Sequence, residues 1–145
     1  MTAQLIETPP VLVTKIAVVV RDDLPVWQKL NMTAFLASGV AAAAPEAIGR
    51  NYADADGTGY TPMFGQPVLV FAADNARLAR TLERALSRGV VPTVFTTELF
   101  STGDDDANRA AVATVRREDL DLAGLAVRAD RKTVDKITSG LRLHP

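Results

Sequence analysis

Thr14, Lys15 and Ala17 are the only interruptions in a run of bulky apolar residues from Val11 to Val20. This pattern predicts a strand buried on both faces and therefore central in its sheet. Arg21-Asp22-Asp23 ends it. Asp22 or Asp23 is expected to cap a helix that carries Pro25 near its first turn, where a missing N–H costs nothing. That helix is expected to run to about Ala44 and to stop at Pro45. From Leu30 onward, Leu30, Met32, Ala34, Phe35, Leu36, Ala37 and Val40 leave little polar face, so the helix should be packed between other elements.

Residues 46–66 hold Gly49, Gly57, Gly59, Pro62 and Gly65 with few periodic apolar positions, and read as one long ordered loop. Loops of this length inside a compact domain are usually functional or mobile. Pro67 to Ala72 predicts a second strand. Asp74 then caps a helix with Leu78, Leu82, Ala85 and Leu86 as its buried stripe and Gly89 at its end. Val90 to Phe95 predicts a third strand, which Pro92 places at an edge or a bulge. After a polar, turn-rich stretch from Thr96 to Gly103, the acids Asp104, Asp105 and Asp106 suit the positive end of a helix through Ala107, Ala110, Ala111 and Val112. Leu122 to Val127 predicts a fourth strand. Asp130 caps a last helix with Val134 and Ile137 before Gly140, and the Leu141-Arg142-Leu143 tail is left to pair or pack. The expected architecture is a single α/β domain spanning 1–145, with a four-stranded mixed sheet flanked by helices.

Composition narrows the chemistry. The chain has 145 residues, 48% of them apolar, with 16 basic and 17 acidic side chains. There is no Cys, and His144 is the only His. That excludes Cys nucleophiles, iron–sulfur clusters, zinc cages and an internal Ser/His relay, so neither metal nor cofactor is expected. The Met1-Thr2-Ala3-Gln4 start has no basic signal region, and no stretch approaches the ~20 apolar residues of a membrane span. A cytoplasmic protein without membrane association is the expectation.

Asn31, Phe35 and Ser38 share one face of the first helix. Asn31 and Ser38 either line a pocket at the carboxyl end of the sheet, where open α/β folds bind ligands, or bond to nearby backbone. Thr96, Thr97, Glu98, Ser101 and Thr102 follow the third strand at that same end. They could orient an ester, phosphate or carboxylate while Asp22 or Asp23 acts on a water, or serve only as caps and turn formers. Asp54-Ala-Asp56-Gly57 lacks the Glu that closes a calcium loop, since Gly65 stands there, and reads as a turn. Arg77, Arg80, Arg84 and Arg88 fall within an arc of about 80° on the second helix, opposite its Leu stripe. Twelve of the 16 basic residues follow Phe71, together with eleven acids. A solvated helix face is the expected reading of that ridge, and a phosphate contact the other.

Lys15-Ile-Ala-Val-Val-Val-Arg-Asp-Asp-Leu24, followed at once by an apolar helix, resembles the type two peptidyl-tRNA hydrolases. The run Trp27-Gln-Lys-Leu-Asn31-Met-Thr-Ala-Phe-Leu36, the Glu98-Leu-Phe-Ser-Thr102 segment with Asn108, and Asp135-Lys-Ile-Thr-Ser-Gly-Leu141 are similar to a bacterial family known as a domain of unknown function, which is grouped by fold with those hydrolases. This resemblance extends from about Lys15 to His144. It implies a type two hydrolase-like fold and often a homodimer. The hydrolases carry Lys, Gln and His along the first helix. With Ser38 at the His position, those places hold Asn31, Phe35 and Ser38, and Lys29 lies two residues before Asn31. Fold alone does not carry a reaction over.

Three functions follow as expectations. The first is an uncharacterised protein that binds a small ligand through Asn31, Ser38, Thr96, Thr97, Thr102 and Asn108, beside the loop from Arg50 to Tyr60. The second is a metal-independent hydrolase of peptidyl-tRNA or a related acyl ester, with Asp23, Lys29 or Thr96 assisting water and tRNA as partner. The third is a dimeric interaction module whose long loop forms the interface, with the polar residues left as structure, and which should show a large exposed apolar patch in the monomer.

Overall fold

A computed structural model describes residues 13–145 of the chain. The expected positions Val11 and Leu12 of the first strand lie outside the described residues. In chain order the main elements are β1 (Thr14–Arg21), α1 (Val26–Ala43), the short strands β2 (Tyr52–Ala53) and β3 (Gly59–Tyr60), β4 (Val68–Ala73), α2 (Asn75–Ser87), β5 (Thr93–Thr96), α3 (Asp105–Ala113), β6 (Leu122–Asp130), α4 (Arg131–Ile137) and β7 (Arg142–Leu143).

The main sheet runs β5-β6-β1-β4-β7. β1 and β4 are parallel, and β6 is antiparallel to both β1 and β5, so β1, β4 and β5 share one direction. The apolar run in β1 has its physical explanation here. Ile16, Val18 and Val20 point toward α1, while Ala17 and Val19 point toward α2 and α4. Such a strand is buried on both faces and needs apolar residues at every position. Pro92 precedes β5 at the sheet edge, where no neighbour needs its missing N–H.

Three expectations change. The sheet has five strands rather than four, with a separate β2–β3 pair. The fifth strand is the C-terminal tail, where Leu143 pairs with Phe71, Arg142 pairs with Ala72, and His144 N donates to Val70 O at 2.9 Å. A two-residue strand carries no period to read. The supposed loop folds back on itself. Gly49 N donates to Met63 O and Gly65 N to Ala47 O, both at 2.8 Å. Gly49 and Gly65 allow this approach, since a Cβ on either would sit 3.3 Å from the other's Cα. The helix α1 is not capped by Asp22 or Asp23. Pro25 occupies its N-cap without a side-chain bond, and Asp23 pairs with Arg21 instead.

The largest departure concerns what α1 touches. Met32, Leu36 and Val40 are buried against the sheet. Val26, Trp27, Leu30 and Phe35 remain 70%, 59%, 68% and 53% exposed. Apolar periodicity cannot reveal that only one side of a helix finds a neighbour within the same chain.

Candidate functional site

α1 crosses the sheet over β5 and β6 and approaches closely because two glycines stand at its contacts. A Cβ on Gly39 would fall 2.4 Å from the Thr93 side chain, and one on Gly124 would fall 2.7 Å from Met32 Sδ. Along the Phe35–Gly39 stretch of α1, a cleft of about 420 Å³ opens between α1, β5 and α3. Its walls are mainly apolar and include Phe35, Leu36, Val94, Phe95, Leu99 and Val112. The ring of Phe95 packs at 5.8 Å from Phe35 and 4.8 Å from Phe100, which itself meets Trp27 edge-on.

Polar groups stand at the α3 side. Asp104 caps α3 by accepting from Ala107 N at 2.8 Å, and this sets the helix direction. Asn108 then meets Thr102, whose hydroxyl lies against both the Asn108 side-chain amide and the Leu99 carbonyl oxygen, the latter at 3.1 Å. Arg109 lies on the same wall, paired with Asp105 at 2.6 Å and Asp106 at 3.3 Å. Ser38 faces the cleft, but its hydroxyl donates to Phe35 O at 2.6 Å. α3 buries none of its residues, so this wall is held mainly by its caps and loops.

A second cluster gathers at the carboxyl end of β1 and β5. Arg21 donates from Nε to Asp23 at 2.7 Å and from Nη1 to Asp121 at 2.8 Å. Asp121 also accepts from the Thr97 hydroxyl at 2.6 Å, while its carbonyl oxygen accepts from Thr97 N at 2.9 Å. Each carboxylate therefore has a cation already in place. The arrangement ties three strand ends together and does not present an unpaired base.

The family model described as "Protein of unknown function (DUF2000)" matches residues 14–145. The chain belongs to this family. A solved structure of a protein of unknown function from Agrobacterium tumefaciens strain C58 is 47% identical to the chain. It covers 91% of this chain and 98% of its own, with a TM-score of 0.89. Among curated proteins no match is found.

The residues singled out from the sequence of this DUF2000 chain separate into five places. Ser38 and Asn108 meet at the cleft, with Thr102 bonded to Asn108. Asp23 and Thr97 join the Arg21 cluster. Lys29 reaches the tail at the opposite sheet edge from β5, with Nζ 3.1 Å from His144 Nε2. Asn31 is exposed on α1 and lines no part of the cleft. Thr96 is 1% exposed, and its hydroxyl has no partner among the described residues. The cleft runs along β5 down to Thr93, rather than standing only at the carboxyl end. Of its apolar walls only Phe35 shares the face read from the sequence, since Val94 and Phe95 belong to a strand whose pattern reads as core. Among the described residues, no group of three or more His, Asp or Glu is placed to hold a metal ion.

The Asp54 turn is built as a turn. Asp54 accepts from Asp56 N and Thr58 N at 3.0 Å and from the Tyr60 hydroxyl at 2.7 Å. The Tyr60 bond, followed by the Thr58 N–H, holds the Asp54 carboxyl below its ordinary range, and the same bond raises the Tyr60 phenol.

Proposed function

We propose that this chain binds a small, mainly apolar ligand in the cleft between α1, β5 and α3. The observation carrying the reading is a cleft of about 420 Å³ whose walls are aromatic and aliphatic, with the Asn108 amide and Arg109 at one side. Small-molecule sites have this composition: an apolar body and a few polar groups that fix orientation. A ring or branched chain fits against Phe35 and Phe95, and a polar group of the ligand suits the Asn108 amide or Arg109. Anilinonaphthalene sulfonate is a suitable probe. Saturable one-to-one fluorescence enhancement is expected, lost in Val112→Trp, which fills the cleft, and retained in Leu30→Glu, which alters only the exposed α1 surface. Enhancement unchanged by Val112→Trp would overturn the reading.

A second reading rests on the exposed stripe of α1. We propose that Val26, Trp27, Leu30 and Phe35 seat a second copy of the chain. With full side-chain areas of roughly 150–250 Å², these four expose about 500 Å² per protomer. Two copies would bury about 1,000 Å², the lower bound of a specific interface. The stripe carries no Asp, Glu or Arg, so an identical uncharged stripe complements it. Sedimentation should show a dimer that Trp27→Glu/Leu30→Glu converts to monomer. A monomeric parent at high concentration would refute it.

The relation to type two peptidyl-tRNA hydrolases, and a cytoplasmic location, belong to the same proposal. The Lys15–Leu24 sequence, which carries β1, and the helix after it support the relation. Among the described residues no helix is long and apolar enough to cross a membrane. The reaction is not proposed to follow the fold, because Asp23, Lys29 and Thr96 lie apart and the two charged groups have partners. Incubation with an N-blocked aminoacyl-tRNA is expected to release no acyl group above background. Release lost in an Asp23→Asn variant would reinstate the hydrolase.

A further inference from the structure

Across the sheet from the cleft, the ridge on α2 does not stand alone. Arg77, Arg80 and Arg84 surround a cleft of about 240 Å³ against the turn of Ser139, Gly140 and Leu141. Arg84, Arg88, Lys132 and Lys136 surround an adjoining one that shares Arg84 and Ser139. Arg84 Nη1 donates to Ser139 O at 2.8 Å and locks α2 to the end of α4. The folded chain therefore adds two lysines to the four arginines that the helix period aligned.

The acids around this face have other partners. Asp135 lies 2.6 Å from Lys15, and Glu83 lies 3.0 Å from Arg117. Asp74 and Asp130 accept the backbone N–H groups of Arg77 and Thr133 in the first turns of α2 and α4, and Asp130 also feels the charge of Lys136. None of the six cations pairs with a carboxylate among the described residues, whereas Arg21, Arg109, Arg116, Arg117 and Arg128 all do. A chain of net charge −1 thus gathers on one face six cations without an ion-pair contact, with Asp135 as the one acid lining their cleft.

We infer that this face binds the phosphate backbone of double-stranded nucleic acid. Guanidinium groups match phosphate oxygens in a bidentate fork, which favours phosphate over a diffuse counterion cloud. Arg77 to Arg88 spans about 16 Å along the helix axis, close to five base-pair steps of about 3.4 Å. Among the described residues, α2 and α4 expose no large apolar or aromatic side chain. The face therefore lacks the stacking platform that holds single strands and the apolar wedge that enters lipid. Binding is expected to read shape and charge, not sequence. It stands independently of the ligand cleft, which lies on the other side of the sheet.

The test uses the full chain and fluorescence anisotropy with labelled duplexes of unrelated sequence. Four phosphate contacts predict about a 150-fold loss of affinity between about 50 and 200 mM salt. R80E/R88E should weaken binding at least about tenfold and lower the salt slope by about two. K132E/K136E should act likewise from α4, and R50E/R116E serves as a control of equal charge change. Circular dichroism establishes that each variant is folded. The inference is overturned if neither duplex binds at low salt or if the control weakens binding as much as R80E/R88E. It is also overturned if phosphatidylserine vesicles, and not duplexes, bind in a manner lost in R80E/R88E.

Discussion

Gly124→Ala tests how α1 is seated on the sheet. A methyl carbon at this position would lie 2.7 Å from Met32 Sδ and 2.7 Å from the carbonyl oxygen of Val19, where ordinary contact starts at 3.4 Å. Met32 can swing its sulfur away. The Val19 carbonyl cannot, because Val19 and Val20 pair with Leu125 and Gly124 in the β1–β6 ladder at the centre of the sheet. The strands must separate by several tenths of an ångström or the ladder must bend. Overpacking of this kind costs about 3 kcal/mol at the upper end of its usual range. The reduced freedom of the unfolded chain offsets about 0.5–1 kcal/mol, leaving a net loss of about 2 kcal/mol. For a domain of this size the Tm should fall by roughly 6–8 °C. Urea unfolding followed by circular dichroism should show a lower midpoint at unchanged slope. In a Met32→Ala background the substitution should still cost about 1 kcal/mol or more, since the carbonyl remains. A cost below about 0.5 kcal/mol in the parent, or none in the Met32→Ala background, would refute the reasoning.

Other substitutions probe the caps and charges. Arg21→Met should cost about 1–2 kcal/mol in urea unfolding, because Asp121 and Asp23 lose their common partner, while Asp23→Asn alone should cost less than about 0.5 kcal/mol. Asp104→Ala removes the N-cap of α3, a helix without buried residues. Amide exchange should accelerate across Asp105–Ala113 with little change in global Tm. Tyr60→Phe should raise the Asp54 carboxyl toward its ordinary value of 3.8, as read by carbon-13 NMR. With Tyr60 present, the Asp54 contribution to the hairpin is full above that value and is lost as pH falls through the lower folded one. The Tyr60 contribution is full below its ordinary 10.0 and is lost as pH rises through its higher folded value.

The elements legible in the sequence are those with a local cause. Asp74 and Asp130 each cap the helix expected of them, Asp104 caps the one whose first turn the three acids marked, and Gly89 and Gly140 adopt the positive φ that ends a helix. The β1 run announced a central strand because a strand covered on both faces has no polar period to show. What was not legible depends on pairs far apart in the chain. Arg21 and Asp121 are 100 residues apart, and nothing in either segment announces the other. Thr97 looked like a turn residue at a ligand site because its hydroxyl can serve either purpose. The partner that decides its use is Asp121, 24 residues further along the chain.

α1 is where sequence and structure differ most usefully. Its residues are apolar nearly all round, and the sheet covers only the side carrying Met32, Leu36 and Val40. Trp27 and Leu30 do not belong to a helix meant to face water along its outer side, since a solvated face at that position would normally carry charge. Phe35 joins the exposed stripe to the wall of the cleft, so whatever covers α1 also closes one side of the cleft. The two proposals for this side of the molecule are therefore coupled. A second copy seated on Trp27 and Leu30 would restrict entry past Phe35 and leave α3, the wall without a buried residue, as the side that must yield. Probe association should then slow when protein concentration favours the dimer and quicken in Asp104→Ala, which loosens α3. An association rate indifferent to both would separate the cleft from the interface and show that Phe35 serves only one of them.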